Sequence, residues 1–81
     1  MIIRFYGRLG EQAGRETAID LPSGIDTIAA LRRFLADRHP AIAADLLGPS
    51  LRACVGDRIV PEGHEVAAGD EIEFFPPLSG G

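Results

Sequence analysis

The run Pro76-Pro77-Leu78-Ser79-Gly80-Gly81 that closes the sequence holds the residue types that could do chemistry. Proline fixes φ and lacks an N–H, so two in succession leave a sheet ladder and favour extended backbone. Six residues in that state reach roughly 20 Å. Gly80 and Gly81 carry no side chain and fit a narrow channel. A carboxylate at Gly81, with an ordinary pKa of about 3.3–3.7, is ionised at neutral pH. It can attack the α-phosphorus of ATP, and the acyl-adenylate so formed is open to a sulfur, nitrogen or oxygen nucleophile. Gly-Gly alone often marks no more than a frayed end. A strand followed by two prolines sets this one apart.

No catalytic set stands elsewhere in the chain. His39 precedes Pro40 and His64 follows Gly63, and both read as solvated. Ser23, Ser50 and Ser79 lack the G-x-S-x-G elbow of a nucleophilic serine. Gly7, Gly10 and Gly14 are irregularly spaced and lead into a strand, unlike a phosphate loop. Cys54 reads as a small buried hydrophobe in a strand. As the single Cys it allows neither an internal disulfide nor an iron–sulfur cluster, and no bound metal or cofactor is expected.

Charge narrows the partners. Eight basic and twelve acidic residues give a net charge of −4 with no run of like charges, which argues against nucleic acid. All eight cations are Arg and no Lys is present. Compositional bias toward Ala, Gly and Arg explains this more simply than protection of a reactive acyl end. No apolar run reaches the 18 residues of a membrane span, and Met1-Ile2-Ile3-Arg4 does not open a signal peptide. A cytoplasmic protein with no membrane partner is expected.

The elements must position that end. Eighty-one residues, 46% apolar and 25% charged, suit one small globular domain. Such a chain buries about 60% of its unfolded surface. Ile2–Tyr6 reads as a strand with Ile3 and Phe5 on one face, and Thr17–Leu21 as its hairpin partner across a long glycine-broken loop. Asp26 or Thr27 can cap a helix over 27–38 whose stripe is Ile28, Leu31, Phe34 and Leu35, with Arg32, Arg33 and Asp37 facing elsewhere. Residues 41–47 suggest a shorter helical segment. Leu51–Val55, Arg58–Val60 and Glu71–Phe75 complete the strands, with turns at Gly56-Asp57 and Gly69-Asp70. The result is an α+β roll, a mixed sheet packed on one main helix with a short second helix. The domain runs over 1–75 and the extended tail over 76–81. Alternation places Phe74 inward and Phe75 outward, where Tyr6 and Ile59 share its face. These three predict a docking site, since exposed aromatic patches commonly mark partner surfaces.

The run from Gly69 to Gly81, a G-D-E-hydrophobic-x-F-F-P-P-x-x-G-G ending, resembles the terminus of the MoaD family, the small subunits of molybdopterin synthase. The resemblance covers the whole chain: length, opening strand, helix 27–38, Cys54-Val55-Gly56-Asp57 and tail. One departure is Gly56, where relatives often have Asn. Both types tolerate positive φ, so the turn and not the activity is affected. The resemblance implies a β-grasp, ubiquitin-like fold and a sulfur-carrier role. By it, a MoeB-type adenylyltransferase adenylates Gly81 with ATP, and a sulfur donor protein supplies the sulfur of a thiocarboxylate. The tail then enters a MoaE-type large subunit and gives its sulfur to cyclic pyranopterin monophosphate, within a heterotetramer. Gly80 provides the slender approach, while Phe75, Pro76, Pro77, Leu78 and Ser79 guide the tail. Carriers for thiazole or cysteine synthesis, a protein modifier that forms isopeptide bonds, and an interaction domain with an inert tail are the alternatives.

Overall fold

The computed structural model describes residues 1–77. Five strands form one mixed sheet in the order β2-β1-β5-β3-β4: β1 Ile2–Phe5, β2 Glu16–Ala18, β3 Arg52–Val55, β4 Arg58–Val60 and β5 Glu71–Phe75. Helix α1 (Arg8–Ala13) joins β1 to β2, and the main helix α2 (Ile28–Arg38) crosses from β2 toward β3. A 3-10 turn at Pro40–Ile42 and a single helical turn, α3 (Ala43–Leu46), follow. The first and last strands lie parallel at the centre, Ile3 beside Ile72 and Phe5 beside Phe74, while the other three pairings are antiparallel. This is the β-grasp, ubiquitin-like roll.

Period-two alternation sorts the strands into a covered face and an open one. Ile3, Phe5, Ala53, Ile72 and Phe74 point toward the helices and are buried with Leu9, Ile28, Leu31, Leu35, Ile42 and Leu46. Each fully buried Phe, Leu or Ile stabilises the fold by about 1.5–3 kcal/mol relative to exposure. Helix α2 starts at Thr27, whose Oγ1 accepts the Ala30 N–H at 3.2 Å. The loop after β4 also supports that end: the N–H groups of Ile28 and Ala29 donate to the carbonyls of His64 and Glu62. Two orphan donors of the first turn are thereby satisfied.

Several expectations are corrected. The loop expected between the first two strands contains α1. Gly10 there is a packing residue, because a Cβ would stand 2.6 Å from the Phe5 carbonyl oxygen. Strand β2 covers 16–18 rather than 17–21, although Ile19 and Leu21 still pack against the core. The first strand ends at Phe5, not Tyr6. Arg32, placed off the apolar stripe by its spacing, is buried. Its Nε donates to the Leu46 carbonyl at 2.6 Å, Nη2 to that of Gly48, and Nη1 pairs with Glu62 at 2.6 Å. A buried guanidinium is tolerated where its donors are met in this way. Gly56 and Asp57 both take positive φ in the β3–β4 turn, as a tight hairpin of this twist requires.

Candidate functional site

The open face of the sheet leads directly to the tail. On it Tyr6 and Phe75 stack with ring centroids 4.4 Å apart and an interplanar angle of 11°. The Tyr6 N–H donates to the Phe74 carbonyl at 3.0 Å, so Tyr6 continues the β1–β5 pairing past the end of β1. Its hydroxyl donates to Glu73 at 2.8 Å. This bond, with partial desolvation and the Glu73 charge, raises the Tyr6 pKa. Across the sheet, Glu73 lies opposite Cys54 and Cys54 opposite Ile59. Ile59 is 68% exposed. Arg4 completes the face, pairing with Glu16 at 3.0 Å and Glu71 at 2.6 Å.

Tyr6, Phe75 and Ile59 therefore share one face, but not one contact. Tyr6 and Phe75 touch, whereas Ile59 stands two strands away from Phe75 on the far edge. Glu73 and Arg4 belong to the same surface and were not singled out from the sequence. Their alternation parity signalled it; the parallel pairing that makes them neighbours is a long-range fact.

The root of the tail is held at a definite place. Gly7, φ +57°, leaves room for the Pro76 ring: a Cβ on Gly7 would lie 3.1 Å from Pro76 Cγ. Pro77 is exposed and borders a depression of about 200 Å³ with Asp45, Gly48, Pro49 and Leu51. Below it Arg8 reaches from α1 to Asp45 of α3 through two bonds, at 2.8 and 3.4 Å. The guanidinium holds the Asp45 carboxyl below its ordinary pKa. Leu78, Ser79, Gly80 and Gly81 lie outside the described residues.

Other candidates from the sequence are placed as follows. Cys54 is half-buried on the open face, not a core residue, because its neighbours Ala53 and Val55 take the covered side. Burial and the charges of Glu73 and Asp57 push its thiol pKa up. His39, read as solvated, is half-buried with its ring edge-on to Phe5, centroids 5.4 Å apart. His64 is half-buried as well, in the loop that supports α2. Among the described residues no three His, Cys, Asp or Glu side chains gather as a metal site. Nor is any described helix long and apolar enough to cross a membrane.

Comparison with known proteins adds to this geometry. A family model described as the ThiS family matches residues 3–81. The molybdopterin synthase sulfur carrier subunit of Escherichia coli is 32% identical over 79 residues, covering 98% of this chain and 96% of its own. Its counterpart of the same name in Haemophilus influenzae is 33% identical with the same coverage. The crystal structure of small archaeal modifier protein 1 from Haloferax volcanii superposes with a TM-score of 0.81 at 29% identity, over 99% of this chain and 97% of that one.

Proposed function

From a chain that belongs to the ThiS family, we propose a sulfur carrier that works through the carboxylate of Gly81, as the small subunit of a molybdopterin synthase. The observation that carries this reading is the continuity of open face and tail. An aromatic pair sits at the mouth of β5, a proline braced on Gly7 follows, and the sequence runs out to two residues without side chains. The names of the E. coli and H. influenzae relatives support the molybdopterin assignment.

In the proposed cycle a carboxylate oxygen of Gly81 attacks the α-phosphorus of ATP on an adenylyltransferase of MoeB type, and pyrophosphate leaves. The terminal sulfur of a donor-protein persulfide attacks the acyl carbon, and AMP leaves. A thiol then attacks the resulting acyl disulfide at the donor's sulfur, forming a disulfide with the donor and releasing the Gly81 thiocarboxylate. The tail enters a large subunit of MoaE type and gives up the sulfur to cyclic pyranopterin monophosphate. Tyr6, Phe75 and Ile59 dock the domain, Pro76 and Pro77 with Leu78 and Ser79 direct the tail, and Gly80 passes the constriction. The catalytic side chains are the partners'.

A second reading, a protein modifier, is favoured by the likeness to small archaeal modifier protein 1. It uses the same activated glycine with a lysine acceptor. One reconstitution separates the two. The chain, its activating enzyme, ATP and a sulfur donor are incubated, then the large subunit and the pterin precursor are added. Dithiolene product is expected. Thiocarboxylate without dithiolene moves the chain to another sulfur pathway, and ATP-dependent conjugates to other proteins favour the modifier.

A further inference from the structure

The nucleophiles that this chain itself offers to an activated acyl group are few and muted. No Lys occurs among the 81 residues, and all eight cations are Arg, whose delocalised guanidinium is not a nucleophile in water. The amine at Met1 is drawn into the edge of the sheet: it donates to the Ile19 carbonyl at 3.0 Å, and the Ile19 N–H returns a bond to the Met1 carbonyl at 2.9 Å. The single thiol, Cys54, is half-buried on the open face between Glu73 and Ile59. Burial and the Glu73 and Asp57 carboxylates oppose its ionisation, and the thiolate is the reactive form.

Resting on the reading of Gly81 as an activated terminus, we infer that this chain is an acyl donor that does not accept acyl groups from its own copies. Whatever the origin of the missing lysines, the chemical consequence is the same. Amide formation needs an unprotonated amine to attack the acyl carbon, expel AMP or a thiol, and release a proton to solvent. Thioester formation needs a thiolate to do likewise. Neither nucleophile is freely presented by a second copy, so an activated Gly81 survives until a partner's sulfur or amine reaches it. Should the chain be joined to other proteins, it is joined singly and never as a chain of copies linked through lysine.

The test uses the full chain with Gly81 prepared as a small-thiol thioester by intein cleavage, which makes activation independent of any enzyme. Concentrated wild-type thioester, kept at mildly alkaline pH, is expected to give hydrolysed monomer and no self-linked dimer on a denaturing gel. Arg58→Lys, which places an amine on the exposed strand β4, is expected to gain an amide-linked dimer that resists hydroxylamine. A hydroxylamine-resistant dimer of the wild type, formed through Met1, overturns the inference, as does a hydroxylamine-sensitive one formed through Cys54. So does an Arg58→Lys variant that links no faster than wild type, because missing amines would then not be the protection. The parent reading fails by a different sign: no release of pyrophosphate when the chain meets its activating enzyme and ATP.

Discussion

Phe74 and Phe75 are neighbours in β5 and meet opposite fates. Phe74 has no exposed surface and stacks near Phe5 under the helices, while Phe75 lies half-buried on the open face against Tyr6. The same division holds on β1 and just past it, where Phe5 is buried and Arg4 and the following Tyr6 face outward, and on β3, where Ala53 is covered and Cys54 is not. One face is closed by α1, α2 and α3 with aliphatic packing. The other has an aromatic pair, an exposed isoleucine and an Arg4 network, with no described helix laid over it. The covered face makes the domain stable, and the open face is the surface that the proposed docking would use.

Substitutions can break or sharpen that contrast. Phe74→Ala should cost about 3–5 kcal/mol, enough to unfold much of a domain this small, read from denaturant midpoints. Phe75→Ser should leave the midpoint nearly unchanged yet weaken docking to the large subunit at least tenfold, about 1.4 kcal/mol. Equal loss of stability in the two variants would erase the distinction between the faces. Arg32→Ala, also on the covered side and second in size to Phe74→Ala, strands the carbonyls of Leu46 and Gly48 and should cost roughly 3 kcal/mol. Thr27→Ala removes the α2 cap and should cost about 1 kcal/mol by the same measurement.

The smallest effect is one of pH. Asp45 has its folded pKa lowered by Arg8, so its contribution is present above the unfolded value of about 3.9 and is lost as pH falls through the folded one. Asp45→Asn should therefore narrow the stability gap between pH 7 and pH 3. An identical pH profile in the variant would show that the pair is energetically silent.

What the sequence made legible follows the range of the forces involved. Thr27, the alternation through β5, and the Gly56-Asp57 turn are local, and they stand where their residue types require. Helix α1 is hidden in the sequence because Gly7 and Gly10 look like loop residues, whereas Gly10 is needed where the Phe5 carbonyl passes close. The burial of Arg32 is not legible in helical spacing, which says nothing of the carbonyls that Leu46 and Gly48 bring to it. The shared face of Tyr6 and Phe75 was readable from parity. Their stacking, and the Tyr6 bond to Glu73 across 67 positions, come from the parallel pairing of the two chain ends.

The central claim, that Gly81 carries the sulfur, is tested most directly by intact mass. The full chain and a variant lacking Gly81 are each treated with activating enzyme, ATP and sulfur donor, then alkylated to mark any thiocarboxylate. The account predicts an alkylated, sulfur-bearing species from the full chain, lost on deletion while thermal unfolding stays unchanged. A sulfur-bearing species from the deletion variant at full-chain yield would contradict it.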